Sequence, residues 1–311
     1  MCLLKRFLLG FLVLILLILG AYKISSLFPK VASDYYNQVK TGTVFEEKYT
    51  KLGKCKVNTV SFDSPNKMIK KIRIWYPEIL KEETTPYPTV LMANGTGVNA
   101  TRYEPIFEHL ASWGFIVVGN ECKNTGTGEE MAETLDFILK ENNKPSSLFY
   151  QKIDLQHIGG AGHSQGASGL MNAVTKQENG DYYKAVFLMS LMQSFDSLKD
   201  SERLSKRFYE PEKLSIPSFF VAGTGFFDSR LISPINSMMT NFSMLPQDAT
   251  SILARRKASD HQKILYAADG YMTAWFLWQL KGDEAASLGF INGAEDMKAN
   301  PNWQDVRTKN I

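Results

Sequence analysis

The feature that narrows the fold most is the alternation of two periodicities along the chain. Short apolar, β-rich runs at residues 89–93, 115–118, 185–189, 218–222 and 251–254 alternate with stretches whose apolar residues recur at helical spacing. A run that is apolar throughout must be covered on both faces, and helices between the strands supply that cover. An α/β fold is therefore expected, with a mainly parallel central sheet and helices on both faces. Residues 103–113 place Ile106, Leu110 and Trp113 on one helical face, with Gly114 as the stop, and residues 129–141 place Met131, Leu135 and Leu139 four apart. Residues 56–62 and 71–75 are expected to pair as a hairpin ahead of the parallel strands, and residues 271–280 to form a terminal helix carrying Trp275 and Trp278. There is no internal repeat, and one domain over residues 49–311 accommodates the pattern.

The N-terminus is of another kind. Residues 7–22 form a run of 16 without a charge, preceded by Lys5-Arg6. A helix of that length spans about 24 Å, and Leu3, Leu4 and snorkelling basic flanks extend it toward the thickness of a bilayer core. Residues 1–30 are expected to be a transmembrane signal anchor with Lys5-Arg6 on the cytoplasmic side, the alternative being a signal peptide cleaved after it. Residues 31–48 follow as a polar stalk without a strong period. Either reading exports the body, so the expected location is the cell membrane with the main domain outside, or secretion after cleavage.

Charge supports that division. The chain has 35 Lys+Arg and 32 Asp+Glu; residues 1–30 hold Lys5, Arg6, Lys23 and Lys30 and no acid, leaving 31 bases against 32 acids in the remainder. A nearly neutral body lacks the basic surplus that nucleic-acid binding needs. Cys2, Cys55 and Cys122 are the only cysteines, and no Cys or His spacing suggests a metal, so neither a metal nor an organic cofactor is expected.

The chemistry concentrates at Gly162-His163-Ser164-Gln165-Gly166, between an expected strand ending near Ala161 and an expected helix from Ala167. A tight strand-to-helix turn exposes its central side chain, and flanking glycines remove the Cβ atoms that would strike neighbouring backbone. A serine hydroxyl needs a base to act as a nucleophile. Of the four histidines, His109 falls inside a helix, His157 begins a strand and His163 sits in the turn itself. His261 alone lies C-terminal to Ser164, where the order nucleophile, acid, base places it. Ten acidic residues lie between Ser164 and His261. Asp228 is preferred because it follows the buried strand at residues 218–222 on the edge where functional loops gather, whereas Asp260 adjoins His261 and would face elsewhere. Oxyanion donors are expected from the backbone N–H of Gln165 and from Asn94-Gly95-Thr96-Gly97, with Thr96 preferred and Gly97 second.

These motifs resemble the α/β-hydrolase superfamily, in the branch that holds cutinase-like polyester hydrolases, dienelactone hydrolases, chlorophyllases and platelet-activating-factor acetylhydrolases. The matching pieces are Asn94-Gly-Thr-Gly97, Leu110-Ala-Ser-Trp-Gly-Phe115, Asn124-Thr-Gly-Thr-Gly-Glu-Glu-Met131, Gly162-His-Ser-Gln-Gly166, Ile216-Pro-Ser-Phe-Phe-Val-Ala-Gly223 with Asp228, and Asp260-His261 followed by Tyr271-Met-Thr-Ala-Trp275. The resemblance implies Ser164, Asp228 and His261 as nucleophile, acid and base, Thr96 and Gln165 as oxyanion donors, and hydrolysis of a small-molecule or lipid carboxylic ester. The sequence departs from the branch in three places. Ala167 stands where many relatives carry glycine, Thr96 where polyester hydrolases carry an aromatic residue, and the paired C-terminal cysteines of secreted cutinase-like enzymes are absent. Two other readings use the same residues: a lipase or acyltransferase with the same triad, and a membrane-tethered binding protein on a catalytically dead hydrolase fold.

Overall fold

The computed structural model describes Gly10, residues 12–17, 31–193 and 205–311. A nine-stranded sheet runs through it in the order β1-β2-β4-β3-β5-β6-β7-β8-β9, formed by β1 (Val57–Asp63), β2 (Lys71–Pro77), β3 (Tyr87–Ala93), β4 (Ile116–Asn120), β5 (Ile153–His163), β6 (Tyr183–Met189), β7 (Ser218–Gly223), β8 (Ser251–Arg256) and β9 (Trp303–Lys309). The six strands from β4 to β8 are mutually parallel, while β1, β2 and β9 add antiparallel edges. The expected hairpin is present, paired from Val57↔Pro77 to Asp63↔Lys71.

Side chains of the central strands alternate between two buried layers. Val90, Met92, Val117, Phe187, Phe219 and Val221 face one layer, whereas Leu91, Ala93, Val118, Leu188, Phe220 and Ala222 face the other. The first layer is closed by α1 (Val44–Thr50), α2 (Glu104–Ser112) and, beyond the last parallel strand, a long helix at Asp269–Lys281. The second is closed by α3 (Glu129–Asn143), α4 (Gln165–Lys176) and α5 (Ile235–Met244). The Asp269–Lys281 helix buries residues on every side, which explains why its sequence shows no polar stripe.

One sequence expectation changes. Residues 31–48 are part of the folded domain and not a stalk. Val31 and Tyr35 are buried, and the Tyr35 hydroxyl donates to Asp269 Oδ2 at 2.5 Å. α1 is capped by Thr43, whose Oγ1 accepts from Glu46 N–H. The Glu46 carboxylate is itself buried, accepting from Gly42 N–H, Asn300 Nδ2 and Trp303 Nε1. This helix docks through a polar network with distant partners, so no apolar period marks it in the sequence. The antiparallel strand β9 also escaped the sequence reading; only Trp303 and Val306 of its seven residues are buried. Most of the apolar run at residues 7–22 lies outside the described residues. Gly10 and residues 12–17 are helical, and among the described residues no helix is long and apolar enough to cross a membrane. Cys55 and Cys122 are free thiols.

Candidate active site

Every parallel strand ends on the same edge of the sheet, and the singled-out residues gather there. Ser164 stands between β5 and α4 with φ 59° and ψ −123°, outside the conformations that L-residues favour. That strain is held from both sides. Ser164 N–H donates to Met189 O at 2.8 Å, and Ser164 O accepts from Ala167 N–H at 3.0 Å. The glycines have the expected reason: a Cβ on Gly166 would lie 2.2 Å from Ala93 O, and one on Gly162 would lie 2.6 Å from Gly166 O. Helix and strand therefore approach more closely than any side chain permits.

Asp228 opens a single π-helical turn, Phe227–Ile232, just beyond β7. It is wholly buried. Its Oδ2 accepts from Ser190 Oγ at 2.6 Å and from Gly223 N–H at 2.7 Å, and its Oδ1 lies 2.7 Å from His261 Nδ1. With both Oδ2 contacts made by donors, Oδ1 is left to receive the Nδ1 proton of a neutral His261, which frees Nε2 to take a proton. Asp260 has a different task from Asp228: its Oδ1 accepts from the backbone N–H groups of Phe227, Asp228 and His261, tying the two loops together. Ser164 Oγ has no hydrogen-bond partner among the described residues, so the structure joins Asp228 to His261 but does not join His261 to Ser164. Contacts of this sort commonly tighten only when substrate is bound.

His163 bridges the serine turn to the histidine loop. Gly95 N–H donates to Tyr103 Oη at 3.1 Å, Tyr103 Oη lies 3.1 Å from His163 Nδ1, and His163 Nε2 lies 2.8 Å from His261 O. A carbonyl only accepts, so Nε2 carries the proton, and Nδ1 then accepts from the tyrosine hydroxyl. Burial pushes the Tyr103 hydroxyl pKa upward, partly opposed by the Gly95 N–H, so it stays a donor. The His163 and His261 rings lie 4.6 Å apart, centroid to centroid. His163 thus acts on the position of His261 and not as the base. Sequence spacing excluded it from the base role but carried no signal for this one. The same holds for Tyr103 and Ser190, which join the site from distant segments, and for Asp260, whose bonds to the Phe227–Asp228 backbone no spacing announced.

In the loop after β3, Gly95 N–H is occupied by Tyr103 and Gly97 N–H donates to Lys123 O at 2.9 Å. Thr96 is exposed at the surface, and among the described residues its N–H has no hydrogen-bond partner. On the helix side, Gln165 is the first residue of α4, where N–H groups lack intrahelical partners, and its side chain accepts from Thr125 N–H at 3.1 Å. A cleft of about 540 Å³ opens beside His261, lined by Phe227, Asp260, Gln262, Lys263 and Tyr266. Among the described residues no group of three or more His, Cys, Asp or Glu side chains is arranged to hold a metal ion.

A mostly parallel sheet with a strained serine at the β5–α4 turn is the arrangement of an α/β-hydrolase. More narrowly, residues 40–179 match the family model described as Chlorophyllase, a group of ester-hydrolysing α/β-hydrolases. The matched span runs from α1 past the serine turn and ends before Asp228 and His261. No curated protein matches the chain.

Proposed function

We propose that the protein is a serine hydrolase of carboxylic esters. Ser164 attacks the acyl carbonyl, His261 Nε2 takes the hydroxyl proton and returns it to the leaving alcohol, and water then releases the acyl group by the reverse sequence. Asp228 holds His261 in the required tautomer and stabilises its charged form. The N–H groups of Gln165 and Thr96 receive the oxyanion, aided by the positive end of α4. The observation that carries this reading is the buried Asp228–His261 contact of 2.7 Å, on the sheet edge where the strained Ser164 stands. The Chlorophyllase match supports ester chemistry, and the charge-free run at residues 7–22 supports a membrane tether that leaves the catalytic domain outside the cytoplasm.

A series of p-nitrophenyl esters from acetyl to palmitoyl tests the reading. The wild type is expected to hydrolyse at least the short members, and Ser164→Ala to hydrolyse none above the uncatalysed rate. A folded wild type inert toward the whole series would favour the dead-fold binding protein instead. For the tether, protease protection in intact cells is expected to leave only the N-terminal residues shielded.

A further inference from the structure

Beside the cleft stands an apolar tip that is exposed among the described residues. Phe226, Phe227 and Leu231 are 66%, 55% and 50% exposed. They sit on and just before the π-helical turn that carries Asp228, whose i→i+5 bonding brings Phe226 and Leu231 close to one turn apart. The two phenyl rings support each other edge to face at 5.9 Å. Arg230 and Lys263 are exposed at the margin of this tip, and Phe227 and Lys263 also line the cleft with His261.

The described body of the chain begins on the same edge. Val31, Ala32 and Ser33 line a groove with Thr101 and Tyr266, and Tyr266 in turn lines the cleft of His261. Only residues 23–30 separate Val31 from the apolar run at 7–22. Eight residues reach at most about 29 Å when fully extended. If that run lies in a bilayer, the catalytic edge is held within a short distance of the bilayer surface. An uncovered aromatic pair flanked by Arg and Lys is the chemistry that inserts among acyl chains beneath anionic headgroups.

We propose that Phe226, Phe227 and Leu231 dock on the bilayer that holds the N-terminal run, so that the cleft at His261 takes its ester from a lipid in that bilayer. The proposal deepens the tethered ester-hydrolase reading and rests on it. A competing face exists at the opposite edge of the sheet. There Val44, 84% exposed, and Leu52 and Trp113 share a hollow of about 690 Å³ with Lys48, Lys51 and Lys54, next to the start of β4. Docking through that face would turn the cleft away from the membrane.

The full chain, with Cys2 and Cys55 replaced by serine, is labelled with an environment-sensitive fluorophore at Phe226→Cys or at Val44→Cys. Both are then reconstituted with vesicles of equal parts phosphatidylcholine and phosphatidylglycerol. The label at 226 is expected to shift to the blue and the label at 44 to keep its aqueous emission; an unshifted 226, or a shift at 44 alone, overturns the proposal. In parallel, the Phe226→Ser/Leu231→Ser variant is expected to hydrolyse soluble p-nitrophenyl acetate within about twofold of wild type, since exposed positions outside the cleft tolerate change. Its rate on a long-chain umbelliferyl ester embedded in the vesicles should fall about tenfold or more, because each apolar side chain withdrawn from the bilayer is worth roughly a decade. Equal losses on both esters, or on neither, count against docking. The fluorescence readout needs no hydrolysis, so an inert wild type would defeat the esterase reading while a blue shift at 226 still reported docking.

Discussion

Replacing Asp228 by asparagine changes one atom and reverses one proton. Oδ2 receives two donors, Ser190 Oγ at 2.6 Å and Gly223 N–H at 2.7 Å, in a site with no solvent. An amide nitrogen turned toward them would bury donor against donor. The asparagine therefore keeps its oxygen at the Oδ2 position and presents its NH2 to His261 Nδ1. Nδ1 must then accept, and the imidazole proton moves to Nε2, the atom that takes the proton of Ser164 in the proposed mechanism. The side chain has the same shape, so the packing and KM are expected to survive while kcat falls by about 10³- to 10⁴-fold, the scale seen when a triad histidine is held in the wrong tautomer. That is roughly 4 to 5.5 kcal/mol of lost transition-state stabilisation at 1.36 kcal/mol per decade. Initial rates on p-nitrophenyl acetate read kcat and KM separately, and thermal unfolding checks that the fold is intact. An Asp228→Asn enzyme that is folded and within about tenfold of wild type would refute the tautomer argument.

Two further perturbations act on the frame around the site. Gly166→Ala places a Cβ 2.2 Å from Ala93 O and 2.5 Å from Asn94 O, both backbone atoms that cannot turn aside. α4 and β3 must separate, so urea unfolding is expected to show a loss of about 1–3 kcal/mol or more, with activity reduced further than stability explains. Glu130 on α3 is buried, its Oε1 lacks a partner among the described residues, and burial pushes its pKa from 4.5 up to about 8. A carboxyl raised in the fold leaves the protein at full stability below the unfolded value and withdraws stability as pH climbs through the folded one. Between about pH 5 and 9 the wild type should therefore lose roughly 3 to 5 kcal/mol at this site, and Glu130→Gln should flatten most of that fall in urea midpoints.

The strands of the parallel core and the serine turn were legible because local pattern determines them. Apolar runs of five or six residues demand two covered faces, and a turn between glycines with Ser164 at its centre suits one geometry. The position of Asp228 just beyond β7 was legible from the apolar run before it. What escaped depends on contacts distant in sequence. α1 is held by Glu46 against Asn300 and Trp303, more than 250 residues away, and a half-exposed edge strand such as β9 carries too few apolar residues to announce itself. Ser190, Tyr103 and Asp260 are ordinary residues in sequence; they join the site only because β6, α2 and the loop after β8 end on one edge. His163 shows the limit most clearly. Its neighbour in the chain marks the site, yet its own task, fixing the His261 carbonyl at 2.8 Å, exists only across 98 residues of separation.

The proposed function requires Ser164 to be an activated nucleophile. A fluorophosphonate tests it directly: the serine oxygen forms a bond to phosphorus, fluoride leaves, and the hydroxyl proton passes through His261 to solvent. Mass spectrometry of the full chain after labelling is expected to find one adduct per protein, on the peptide carrying Gly162-His-Ser-Gln-Gly166, and none in Ser164→Ala. A folded wild type that takes no label, or a Ser164→Ala protein that labels as readily, would contradict the account.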